Sequence, residues 1–349
     1  MGTQRIIGFV LALAITVSAF FFFKNRSSVP EPLRFLTWSN YYPEAMLQEF
    51  TAKTGIKVEL SYMSSNEELF AKLRAGASGF DLIQPSDYMV RRMIALGMLQ
   101  PLNHSAIPNL SHLDAYYKNP AYDEGLKYSV PFTWGTTGIS LNTAKVSVPT
   151  DGVSWKTLFQ SPDPKHTSLL DDMREVFGAA LKYQGQSINS TDVATLERAR
   201  QEITKVKNAI LTFSSEPKPL ILREEITVAH VFSCDALQAQ KENPKIRYFI
   251  PAEGGTIWTD NFAITAGSQK SKEAHAFINY FLDPDNTVRL IRENTLTTPN
   301  RSAREKLSAE ETSDVNLYPP EEVLKKMEFL QDSPETLEVM NRMWTELKS

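Results

Sequence analysis

Two short patterns of acidic and aromatic residues carry the chemistry open to this chain. Trp258 and Asp260 stand two apart in the run Ile257–Ile264, a spacing that puts both on one face of an extended segment. An indole face beside a carboxylate suits an alkylammonium ion. A cation over a ring gains about 0.5–2 kcal/mol and each buried methylene about 0.8 kcal/mol. The bland alternative for Trp258 is a core side chain. Asp172 and Glu175 form the second pattern, Asp-x-x-Glu at the start of an apolar-periodic stretch. That spacing is what a helix capping box requires, and on the residues alone this is the favoured reading; the alternative is that one or both carboxylates point into a cleft and bind a cation.

Signatures of catalysis are missing: the chain has no HExxH, GxSxG, P-loop or GxGxxG, so no catalytic residue is expected. Its five histidines are scattered without metal-ligand spacing, and neither a metal nor a cofactor is expected. Cys234 is the single cysteine, which excludes an intrachain disulfide and reads as a small buried apolar side chain. A net charge of −4 gives no electrostatic footprint for nucleic acid.

The elements that must position these residues alternate strand and helix periods. Leu33 to Thr37 reads as a strand with exit loop Trp38 to Tyr41, followed by a helix from Pro43 to Gly55. Ile56 to Tyr62 is a second strand, Ser65 to Glu68 a capping box opening a helix that Gly76 ends, and Phe80 to Ile83 a third strand with exit loop Gln84 to Tyr88. The style repeats with a strand at Thr167 to Leu170, a helix from Asp172 to Gln184 and a strand at Ile226 to Ser233. Such alternation implies an α/β fold with parallel sheets, doubly wound by helices, in two lobes. Ligands then bind beyond the carboxyl ends of the strands, where both exit loops carry aromatic and hydroxyl groups. Val130 to Ile139, with two glycines, reads as a bendable hinge strand, and Ile257 to Ile264 as the returning crossover.

At the N-terminus, Arg5 precedes an apolar run from Ile6 to Phe23 that Lys24 and Arg26 close. This is an export signal or an anchor. Val17-Ser18-Ala19 offers a cleavage site, whereas the tail Phe20 to Phe23 suits a bilayer, so both outcomes stand open.

Through nearly the whole chain after the N-terminal apolar segment, the sequence resembles the bacterial periplasmic spermidine/putrescine-binding proteins, a subgroup of the type II periplasmic-binding fold. The matching stretches are Trp38-Ser39-Asn40-Tyr41, Thr54 to Val58, Ser65-Asn66-Glu67, Asp81 to Ser86, Pro131 to Gly135, Asp171 to Phe177 and Thr298-Pro299-Asn300. The resemblance implies a ligand site of Trp38, Ser39, Tyr41, Ser86, Tyr88, Asp172, Glu175, Trp258 and Asp260, with Asn40 where the family has an acidic residue and Phe232 where it has a Trp. A family Gln falls at Leu330, or at Gln331 if the alignment slips by one. It further implies an α/β fold of two doubly wound lobes joined by hinge crossovers. Their expected boundaries are 1–31 signal or anchor, 32–137 and 259–304 lobe 1, and 138–258 and 305–349 lobe 2.

The function this implies is capture of a polyamine cation, putrescine or spermidine, between the lobes by a periplasmic monomer. The closed form would deliver it to the permease subunits of an ABC transporter, with an uncleaved N-terminal segment as an inner-membrane tether if cleavage fails. The alternatives are a binder of another small solute, an anchored polyamine sensor, or an exported enzyme.

Overall fold

The first strand forms where the sequence places it. β1 (Leu33–Thr37) is buried at every position except Arg34, and it exits into the helix α1 (Glu44–Thr54), which turns Met46, Leu47 and Phe50 inward. Gly55 ends that helix at φ 75°, a left-handed conformation that its missing Cβ permits, and its N–H donates to the Thr51 carbonyl at 2.8 Å. The computed structural model describes residues 31–76 and 79–349. The apolar run Ile6 to Phe23 lies outside the described residues. Among the described residues no helix is long and apolar enough to cross a membrane.

β2 (Val58–Tyr62), α2 (Asn66–Arg74), β3 (Leu82–Ile83) and α3 (Asp87–Ala95) complete the first α/β alternation. The expected capping box at α2 is only half formed. Ser65 Oγ accepts from Glu68 N, but the Glu68 carboxylate reaches past Ser65 to the Ser64 N–H at 2.7 Å. α3 starts earlier than the exit-loop reading supposed: Ser86 is its N-cap residue, and Asp87 and Tyr88 lie in its first turn.

β4 (Ser129–Asn142) is the long strand on which both halves of the sheet are built. Its first part, Ser129 to Thr136, pairs antiparallel with β9 (Ile257–Ile264), and its second, Thr137 to Leu141, with β7 (Val228–Phe232). β5 (Thr167–Leu170) and β6 (Thr212–Ser214) extend the sheet beyond β7, and β8 (Ile246–Phe249) pairs with β4 off the main path. The order is β2-β1-β3-β9-β4-β7-β5-β6. The sheet is therefore mixed: pairs β1/β2, β1/β3, β5/β6 and β5/β7 run parallel, while every pairing of β4 and β9 is antiparallel. This corrects the expectation of purely parallel sheets, because the two crossovers run counter to the βαβ units they join.

The glycines of β4 also act differently from the expected flexibility. A Cβ on Gly135 would stand 2.5 Å from the Trp258 ring, and one on Gly138 would stand 2.4 Å from the Phe249 carbonyl. Both are absences that let neighbours approach.

Helices cover each half. α4 (Met173–Tyr183), α5 (Val193–Lys207) and the C-terminal α7 (Pro334–Lys348) bury Val176, Phe177, Leu196 and Met340 with the β5 and β7 side chains. α6 (Ser233–Glu242) follows β7 directly. On the other half, Phe35, Phe50, Phe262, Phe277 and Phe281 form one aromatic core with ring centroids 4.5–6.0 Å apart where they touch. Each fully buried Phe stabilises the fold by roughly 1.5–3 kcal/mol.

A carboxylate-lined cleft at the strand ends

The ends of β1 and β7, the starts of α3, α4 and α6, and the face of β9 converge on one cleft holding about 700 Å³ of empty space including its mouth. Ten of the residues expected there line it: Trp38, Ser39, Tyr41, Ser86, Tyr88, Asp172, Glu175, Phe232, Trp258 and Asp260. Asn40 does not. It sits at φ 62°, a left-handed turn that Asn tolerates. Its residue is exposed and its carbonyl accepts from Asn294 Nδ2 at 2.7 Å. Leu330, rather than Gln331, reaches the cleft wall.

Asp260 is the best-held of these groups. Its carboxylate accepts from Tyr41 OH at 2.8 Å and from Ser86 Oγ at 2.7 Å. Ser86 is itself fixed by Asn66, whose amide donates to Ser86 Oγ and accepts from its N–H, both at 2.9 Å. Such support leaves the carboxylate no rotamer freedom to lose on binding. Burial pushes Asp260 up to about 7 against the pull of those hydroxyls. Asp87 is likewise pushed up to about 7 by burial, while its oxygens accept from the Thr259 and Tyr88 N–H groups.

Asp172 answers both of its sequence readings. Its Oδ1 accepts from Glu175 N at 3.1 Å, capping α4, and the side chain still faces the cleft. Glu175 does not return the cap. Burial first raises the pKa of both carboxyls; the Glu67 charge then adds to the effect on Asp172, and the Asp172 charge to that on Glu175. Glu67 is half-buried, accepting from Tyr88 OH at 3.1 Å through one oxygen while the other, buried, has no partner among the described residues. Arg174 stands behind this group, its guanidinium 5.4 Å over the Tyr88 ring and donating to the Gln331 carbonyl at 3.1 Å.

Three rings face the carboxylates. Phe232 lies between Trp38, 6.4 Å away, and Trp258, 6.0 Å away and perpendicular. The Trp258 indole N–H lacks a partner among the described residues, while that of Trp38 stands near enough to the Asp260 carboxylate to favour its ionised form. Trp258 and Asp260 occupy alternate positions of β9, as period-two geometry requires.

Three acidic residues of this region escaped sequence reasoning: Asp87, Glu67 and Asp235. Asp235 lines the cleft from the first turn of α6; burial pushes it up to about 6, opposed by the Asn40 amide. The usable signal was position, since Asp235 and Asp87 each follow closely on the carboxyl end of a strand. Cys234 beside it is buried in the wall, with its thiol pushed up by the same desolvation. Among the described residues no cluster of three or more His, Cys, Asp and Glu could hold a metal ion.

A carboxylate-rich cleft at a junction of two half-sheets, with no catalytic motif beside it, is the arrangement of a binding protein for a small solute. The chain belongs to the family of bacterial extracellular solute-binding proteins, whose pattern it matches over residues 45–319. It is 34% identical over 329 residues to spermidine/putrescine-binding periplasmic protein 1 of Haemophilus influenzae, covering 93% of this chain and 91% of that one. Against the spermidine/putrescine-binding periplasmic protein of Escherichia coli it is 35% identical over 341 residues, 97% of this chain and 96% of the other. A solved structure from Listeria monocytogenes, assigned to a spermidine/putrescine ABC transporter, superposes with a TM-score of 0.85 at 32% identity, covering 91% of this chain and 98% of that one. The fold is the mixed α/β fold of periplasmic binding proteins, and the family is one of solute binding in transport, not of catalysis.

Proposed function

We propose that this protein is the extracytoplasmic polyamine-binding component of an ABC uptake transporter, holding putrescine, spermidine or a close relative in the carboxylate cleft. One observation carries the reading. Asp87, Asp172, Glu175, Asp235 and Asp260 are buried together, and desolvation is the largest influence on each. Buried carboxylates whose charge is left to an incoming ligand cost stability unless a cation arrives. The rings of Trp38, Phe232 and Trp258 supply the apolar faces that methylenes need. An anion would meet repulsion here, which disfavours the alternative of an acidic solute.

Trp38, Ser39, Tyr41, Ser86, Tyr88, Asp172, Glu175, Phe232, Trp258 and Asp260 are the proposed ligand-binding residues, joined by Asp87 and Asp235. The lobes of the proposal are 32–137 with 259–304, and 138–258 with 305–349. Closure about the β4 and β9 crossovers buries the ligand, and the closed shape is the signal to the permease subunits. The protein acts as a monomer in the periplasm, released or tethered according to the fate of residues 1–31. The test is calorimetric titration of the purified full chain with putrescine, cadaverine, spermidine and an amino-acid control. Stoichiometric heat with the amines alone supports the reading; silence with all four ends it.

A further inference from the structure

A second cavity, about 1230 Å³ of empty space, adjoins the carboxylate cleft. The two share a wall, because Asp87, Tyr88 and Leu330 line both. Beyond that wall the lining changes character. Tyr116 and Tyr117 meet edge to face with centroids 5.0 Å apart, and Tyr122 fixes its hydroxyl on Asn261 Oδ1 at 2.8 Å. Charge there is unsuited to another ammonium. Asp332 is already paired with Arg92 at 3.4 Å, and Arg91 adds a positive group, anchored on the Ala121 carbonyl at 2.8 Å. Asp87, at the partition, is the carboxylate that remains for a cation. Leu330 stands at the same partition, where resemblance to the family leads one to expect a Gln. Its side chain can neither donate to nor accept from an amine, yet it gives apolar contact to anything passing between the cavities.

We propose that the second cavity holds the uncharged acyl or aryl end of a mono-N-acylated polyamine, whose free ammonium lies in the carboxylate cleft beside Asp87. This rests on the polyamine reading above and extends its substrate class. An amide has lost one positive charge, which the tyrosine-lined cavity does not miss, and gains a planar group that stacks on rings. The two spaces lie on either side of Asp87, Tyr88 and Leu330, so a ligand that spans them passes beside the Leu330 side chain.

The experiment is calorimetric titration of the purified full chain with putrescine, spermidine and N-benzoylputrescine. N-benzoylputrescine is expected to bind stoichiometrically, within about tenfold of putrescine despite its missing charge. Tyr117→Ala should weaken it by roughly fivefold or more while leaving putrescine within about twofold. Tyr116→Ala, at a ring that is 70% exposed and whose loss the fold tolerates, repeats the comparison. Free polyamines that bind while N-benzoylputrescine does not would overturn the proposal, as would equal losses for both ligands in the Tyr116→Ala protein. Silence with all three amines overturns the polyamine reading itself, and this extension with it.

Discussion

Replacing Asp260 with Asn removes the charge from the centre of the cleft with almost no change of shape. Asp260 is 2% exposed and receives two hydroxyl hydrogen bonds. Truncating one partner of a buried, hydrogen-bonded charge pair costs about 3–5 kcal/mol. Two corrections reduce that figure. With its pKa near 7, the carboxylate is about half protonated in the empty cleft at pH 7, so ionising it for the ligand costs roughly 0.4 kcal/mol. The amide oxygen also keeps one neutral acceptor, worth about 1 kcal/mol. The remaining loss is about 1.6–3.6 kcal/mol, or roughly 15- to 450-fold in Kd. Calorimetry with spermidine and putrescine measures it directly. Thermal unfolding without ligand separates binding from folding. There the variant should match or exceed the wild type, since a desolvated carboxylate has been replaced by a neutral group. Unchanged affinity for both amines would refute the reasoning, because it would place the ligand away from Asp260.

Three further outcomes follow from the same geometry. Asp87 and Asp260, raised to about 7, hold protons in the empty cleft that a bound cation expels. Affinity should therefore rise between pH 6 and 8, and binding at pH 7 should release protons, seen as a dependence of the heat on buffer ionisation enthalpy. A pH-independent Kd across that range would contradict it. Gly135→Ala places a Cβ 2.5 Å from the Trp258 ring and 2.8 Å from Ser233 Oγ. Overpacking should destabilise the fold by about 1–3 kcal/mol and displace the indole, read as a lower Tm, an altered near-UV spectrum and weaker binding. His230 is fully buried, both ring nitrogens lack partners among the described residues, and burial lowers it to about 3. The unfolded chain binds that proton below about pH 6.5, so native stability falls with acidification from there down to pH 3, by up to about 1.4 kcal/mol per pH unit. His230→Phe keeps the perpendicular contact with Trp155 and should flatten that acid limb in denaturant titrations. An unchanged slope would count against it.

How much of this was legible beforehand depended on whether a local rule governed the residue. Trp258 and Asp260 were readable together because strand alternation alone sets their relation. Asp172 was ambiguous for a physical reason: one carboxylate has lone pairs enough to cap a helix and still line a cleft, and it does both. Asp87 and Asp235 looked like ordinary first-turn acids, and only their tertiary burial makes them part of the cleft. Asn40 was misplaced because a single left-handed residue turns the chain, and a Trp-Ser-Asn-Tyr string does not announce which member takes it. The glycines of β4 were misjudged for lack of their neighbours, the Trp258 ring and the Phe249 carbonyl, which lie more than a hundred residues away. The antiparallel joining of β3 to β9 had no local signature at all.

That last pairing bears on the order in which the polypeptide is made. β3 meets β9 through Leu82 with Ile264 and Ile83 with Ala263, and the first part of β4 completes itself on the same strand. A ribosome that has released the first 250 residues has still supplied none of that strand. Contacts of such long sequence separation form late and slowly. The leading half of the nascent polypeptide therefore lacks its partner strand until almost three quarters of the chain has emerged.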